Sequence, residues 1–204
     1  MKKTIAIMVL CAALVGCDSK PDAPFGFKWG QTVKETVAQN LKGAKVDGDD
    51  GDILAFISAD SAPQPVQYDG RYYLSFIPSL GLTSATFSTP VDKGGPFFNE
   101  GRTVYNAIAK KLDEKYGVAK SINEKNDSGG AGFYECLKNE SCGVWERTYN
   151  SDGMKVKLNV EPSPGQLMSG LSKGYVRVKY EYLTPEMIKK VQDKMAKEEK
   201  ANNF

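Results

Sequence analysis

Two periods of hydrophobicity alternate along residues 25–183, and their order constrains the fold more than any single motif. Val33, Val37 and Leu41 recur at helical spacing. Thr32 can cap the first amides of that helix, Glu35 can reach back to complete a capping box, and Gly43 stops it. Three strand signals follow: Ile53–Ala59, Arg71–Pro78 and Leu82–Thr89. In the second, Tyr72, Leu74 and Phe76 face one side while Tyr73, Ser75 and Ile77 face the other. The pattern then restarts after a Gly/Pro loop over Pro90–Gly101. Val104, Ile108, Leu112 and Tyr116 form a second helical stripe, closed by Gly117. Residues 118–132 read as a polar loop and Phe133–Cys136 as the start of a hairpin. Gly143–Tyr149, Met154–Glu161 and Tyr175–Leu183 are the next strands. In the last two, Val156, Leu158 and Val160, and Val176, Val178, Tyr180 and Tyr182, line single faces. Pro162–Gly174 is a loop, and Thr184-Pro185-Glu186 opens a final helix with Pro at its first position.

Half-buried strands beside one-faced helices imply an α+β fold: antiparallel sheet covered by helices on one face. The expected organisation is a first αβββ unit over 25–89, a second over 90–183 and a C-terminal helix over 184–204. This layout resembles the β-lactamase-inhibitor-protein-like architecture, in which tandem helix-plus-sheet units join into one concave sheet. The outer-membrane-assembly lipoproteins related to SmpA/OmlA resemble a smaller version of the same unit. The opening Phe25-Gly26-Phe27-Lys28-Trp29-Gly30 and its capped helix also look like the start of many small exported bacterial proteins.

Ahead of this lies a leader. Lys2 and Lys3 precede an uncharged apolar run, Ile5–Val15, which is shorter than the ~20 residues needed to span a bilayer. It ends in Leu14-Val15-Gly16-Cys17, which resembles the lipobox of bacterial lipoprotein signal peptides. The resemblance implies removal of residues 1–16, diacylation of the Cys17 sulfur and acylation of its new amine. Acyl chains contribute about 0.8 kcal/mol per buried CH₂, so several of them anchor a chain stably. Residues 17–24 then form a polar, Pro-containing lipidated tether. The expected location is the periplasm-facing bacterial envelope. Asp18 resembles the inner-membrane retention signal of enteric lipoproteins and favours that membrane.

Lys2 and Lys3 account for the whole excess of 27 basic over 25 acidic residues, so the remainder of the chain is balanced. A balanced surface argues against nucleic acid as a partner, which needs clustered cations. Cys11 leaves with the leader and Cys17 is acylated, so Cys136 and Cys142 remain. In an oxidising compartment this pair reads as a disulfide, placed across the neck of a small hairpin loop. Two thiols alone do not complete a zinc shell.

The chain has no His, which removes Ser-His-Asp and Cys-His nucleophile activation and the commonest metal ligand. It has no Ser-X-X-Lys and no phosphate-binding Gly-rich loop. Asp47–Asp52 superficially suggests a calcium loop, but Gly51, Asp52 and Ser58 occupy the fifth, sixth and twelfth positions, where an EF-hand needs an acid or Asn, a Gly and a Glu. No cofactor or metal site is expected, and the reading is not that of an enzyme. A hydrolase using carboxylates alone is the least favoured alternative.

What remains is surface. Trp145, Arg147 and Tyr149 share one strand face, Tyr175, Arg177 and Lys179 share another, and Tyr73 is placed to join them. Trp, Tyr and Arg concentrate binding energy at interfaces. Strand parity also admits the reverse, with Trp145 and Tyr149 in the core and Val144 and Thr148 outside. Phe97 and Phe98 are a second candidate contact, or tuck beneath their own loop. The expectation is a lipid-anchored module that binds or inhibits another envelope protein, as an immunity or exclusion protein would. The alternative is an accessory factor in envelope protein assembly.

Overall fold

The computed structural model describes residues 20–49, 52, 54–95, 97–164 and 174–202. The leader, Cys11, Cys17, Asp18, Ile53 and residues 165–173 of the loop expected at Pro162–Gly174 lie outside them. The fold is mixed helix and strand, with one eight-stranded antiparallel sheet and, among the described residues, four α-helices that include a C-terminal one.

Helix α1 (Val33–Val37) starts as its residues require. The Thr32 hydroxyl accepts from Glu35 N at 3.1 Å and the Glu35 carboxylate accepts from Thr32 N at 2.7 Å. It stops before Leu41, because Asn40 turns into the left-handed region at φ 52°. Four strands follow as a meander: β1 (Lys45–Asp47), β2 (Ala55–Ala59), β3 (Arg71–Ile77) and β4 (Gly81–Val91). Gly81, at φ 75°, lets the β3–β4 turn press on the Gly30 backbone, where a Cβ would collide. There Gly30 N donates to Leu82 O at 3.0 Å and Leu82 N to Gln31 O at 2.8 Å, so the opening segment is stitched to β4.

Helix α2 (Glu100–Tyr116) ends at Gly117, φ 78°, at the expected cap. Its N-terminus is capped from a distance. Buried Asp92 accepts from Asn99 N at 3.2 Å, Glu100 N at 2.8 Å and Gly101 N at 3.0 Å, and from the Tyr134 hydroxyl. The Glu100 carboxylate accepts in return from Asp92 N at 2.7 Å. A carboxylate here meets both the orphan amides and the positive end of the helix dipole. A second meander follows: β5 (Ser121–Asn126), β6 (Gly143–Ser151), β7 (Met154–Pro162) and β8 (Gly174–Tyr182), with short helix α3 (Phe133–Cys136) between β5 and β6. Helix α4 (Pro185–Asn202) begins where Met187 N donates to Thr184 Oγ1 at 3.3 Å.

The strand order is β1-β2-β3-β4-β8-β7-β6-β5. The two meanders therefore meet through their last strands, and Phe87 sits opposite Val178, Ala85 opposite Tyr180. The core covers one face of the sheet. Ile57, Leu74, Phe76, Phe87, Val156, Leu158 and Val176 from the strands join Tyr105, Ala109 and Leu112 from α2, all buried. Burying such side chains stabilises the fold by about 1.5–3 kcal/mol each.

Two strands appear here that the sequence reading does not contain, β1 in a stretch without an assigned element and β5 inside the expected polar loop over 118–132. β1 and β5 are the sheet edges, exposed and lacking apolar alternation. The expected hairpin start at Phe133 is instead α3. The Cys136–Cys142 disulfide, Cα–Cα 5.2 Å, accordingly ties the end of α3 to the start of β6 rather than closing a hairpin neck.

Closing so short a loop constrains the unfolded chain by about 2 kcal/mol. The double substitution Cys136→Ala/Cys142→Ala is expected to lower unfolding stability by about that amount in urea titration. A change below about 0.5 kcal/mol would show that the bond constrains nothing the native packing does not already hold.

Candidate functional site

The sheet has two unlike faces, and the residues singled out from the sequence divide between them. On β8, Val176, Val178, Tyr180 and Tyr182 point into the core, while Tyr175, Arg177, Lys179 and Glu181 point away from it and are half-buried. Tyr73 on β3 and Phe56 on β2 share the outward face and are 41% and 45% exposed. No described helix packs on this face.

Register places the outward residues in rows across the strands. One row runs Ser58, Tyr73, Thr86, Lys179, Lys157, Thr148. The next runs Arg71, Ser88, Arg177, Asn159, Glu146. Lys157 and Lys179 are directly opposite, a like-charge pair that destabilises a ladder unless offset. Carboxylates supply the offset: Lys157 Nζ lies 2.5 Å from Glu146 and Lys179 Nζ 2.6 Å from Glu181. Arg177 pairs with Glu161, donates from Nε to Ser88 Oγ at 3.2 Å, and lies 5.7 Å from the Tyr175 ring centroid. The cations at the centre of this face are thus held in place, and the exposed aromatics Phe56 and Tyr73 flank them. Ion pairs this exposed contribute little to stability. They give the face a fixed pattern of charge beside apolar surface.

Trp145, Arg147 and Tyr149 do share a face, as expected, but it is the core face, and a partner-binding role for them is corrected accordingly. Tyr149 is 1% exposed, and its hydroxyl donates to Asp113 of α2 at 2.9 Å. Trp145 packs in an aromatic cluster with Phe98 and Phe133, ring centroids 5.6 and 5.3 Å away. Arg147 donates to Glu124 on β5 at 2.6 Å, reaches Asp113 at 3.5 Å and lies over the Tyr105 ring. These contacts settle the parity of β6, because the side chains that meet Tyr105 and Asp113 of α2 must face inward. The pair of loop aromatics splits likewise. Phe97 is 51% exposed, whereas Phe98 is buried and stacks on Phe133 at 4.1 Å, which removes it as a contact for a partner.

Phe56 was legible only as a strand residue, since its outward direction depends on where β2 pairs. Asp92 carries no local signal, because its four donors come from residues 99–101 and 134. Among the described residues no three Cys, Asp or Glu side chains gather in a cluster that could hold a metal ion. Among them, too, no helix is long and apolar enough to cross a membrane. Compared with protein-family models, curated proteins and solved structures, the chain matches none.

Burial, and then the hydrogen bond to Asp113, push the Tyr149 hydroxyl up from an ordinary 10 to about 12. Burial raises Tyr105, Tyr134 and Tyr180 as well, with Glu124 and Asp92 adding to the first two. A group raised in the folded state contributes stability in full below its unfolded value and loses it as pH climbs to the folded one. Stability in urea is therefore expected to hold to about pH 10 and to fall between about 10 and 12. In Tyr149→Phe that fall should be shallower by about one proton. An identical slope in the variant would show that Tyr149 ionises as freely folded as unfolded.

Proposed function

We propose that this chain is an envelope lipoprotein, held to the membrane through Cys17, that captures or inhibits another envelope protein with the outward face of its sheet. The observation that carries the reading is a sheet face on which no described helix packs, presenting Phe56 and Tyr73 at 45% and 41% exposure beside fixed Lys and Arg side chains. An antiparallel sheet can leave one face to water. Exposed aromatics grouped on that face are what an interface uses. The two meanders, each preceded by a helix and joined by their last strands, support reading the chain as two repeated units, with a fourth strand in each beyond the three expected. Such joining widens one face without adding an edge.

The anchor and the face are separable in experiment. Metabolic labelling with a palmitate analogue should mark the wild type and fail with Cys17→Ala. Labelling that survives the substitution would remove the lipoprotein reading.

For the face, residues 20–204 serve as bait for solubilised envelopes, beside Tyr73→Ala/Lys179→Glu and a helix-face control, Lys110→Ala/Lys115→Ala. A hot-spot pair is expected to cost more than about 2 kcal/mol, or more than about tenfold in affinity for the captured protein. The control should bind like the wild type. Equal capture by the sheet-face variant would move the interface elsewhere, with exposed Phe97 the next position to test.

A further inference from the structure

The cover over the inner face is incomplete at the β4–β8 seam. Between α2 and the loop at Pro65–Tyr68 lies a cleft of about 280 Å³. Phe87 of β4 and Val178 of β8 line it from the sheet, and Phe25 and Leu112 from the opening segment and the helix. For scale, an apolar cavity of about 150 Å³ accommodates a benzene ring, so this one holds a molecule of about ten to twelve heavy atoms.

Four polar side chains interrupt the apolar lining: Gln67, Tyr68, Lys111 and Tyr180. Tyr180 is 9% exposed and lines the cleft, and its hydroxyl makes no hydrogen bond among the described residues. A phenol hydroxyl that lines a cleft with no partner from the described residues is open to a hydrogen-bonding group of a ligand. On the helix side, Lys111 is exposed and forms no ion pair among the described residues. Its Nζ lies 3.4 Å from Gln67 Oε1 across the cleft. A phenol hydroxyl without a protein partner in a largely apolar cleft, with a cation on the rim, is the pattern of a site that orients a small amphipathic anion.

We infer that this cleft binds a small aromatic carboxylate bearing a hydrogen-bonding ring substituent. The ring packs on Phe87, Val178 and Leu112, the ring substituent meets the Tyr180 hydroxyl, and the carboxylate pairs with Lys111. The inference does not rest on the sheet-face reading, because the cleft lies on the opposite side of the sheet.

The test is a titration of the purified chain followed by NMR, with three probes of similar size. These are 4-hydroxyphenylacetate, phenylacetate, which lacks the hydroxyl, and tyramine, in which an ammonium replaces the carboxylate. Binding should be tightest for 4-hydroxyphenylacetate, at least fivefold weaker for phenylacetate, and undetectable for tyramine at millimolar concentration. Tyr180→Phe should abolish the preference for the hydroxylated acid, and Lys111→Ala should weaken both acids about tenfold. Lys115→Ala, one helical turn on, should change neither. Three results would each overturn the proposal: no probe binding at millimolar concentration, tyramine binding as well as the acids, or Tyr180→Phe keeping the wild-type preference.

Discussion

The antiparallel pairing of β4 with β8 is the contact on which the rest depends. It joins two meanders that would otherwise be separate four-stranded sheets, each with an extra open edge. Eight residue pairs run along it, from Ser84–Glu181 to Val91–Gly174. On the inner side Phe87 meets Val178 and Ala85 meets Tyr180. On the outer side Ser88 meets Arg177 and Thr86 meets Lys179. The same ladder therefore builds the middle of the core and the middle of the proposed binding face. The pairing is strongly non-local, and contacts of that kind slow folding.

Around that seam the two faces are specialised by what packs on them. α2 lies over β6, β7 and β8, and its N-terminus is held by Asp92, the residue that directly follows β4. A Cβ at Gly101 would meet the Asp92 carboxylate and the Phe98 ring, so the first turn of α2 needs glycine to sit this close. Tyr134 from α3 closes the arrangement by donating to Asp92, and the disulfide ties α3 to β6. The inner side of the second meander is thus locked by capping, aromatic packing and the Arg147 ion pairs. The outer side carries only side chains that brace one another.

Much of this was legible in the sequence, and the exceptions have a common physical origin. The inward faces of β3, β7 and β8 follow from period-two alternation, and α2 from its stripe and Gly117. These edge strands bury no apolar side chain, so Lys45–Asp47 and Ser121–Asn126 carry no apolar alternation to find. The parity of β6 could not be read locally, because Trp145 and Tyr149 alternate with Val144 and Thr148, and either set can pack. It is decided by Asp113 and Tyr105 on another element. The same holds for Asp92, an acid in a Gly/Pro loop until the fold brings the α2 amides to it. The proposed recognition surface was half visible: the Tyr175-Arg177-Lys179 row lies outward, whereas the Trp145 row belongs to the core.

The central claim is that the outward sheet face is occupied in the envelope setting proposed for this chain. Hydroxyl-radical footprinting tests it without knowing the partner, by comparing the chain in envelopes of cells that express it with the purified chain on lipid vesicles. Oxidation of Phe56 and Tyr73 should be high on vesicles and reduced severalfold in envelopes, with buried Tyr149 unmodified in both. Equal oxidation of Phe56 and Tyr73 in the two preparations would contradict the account.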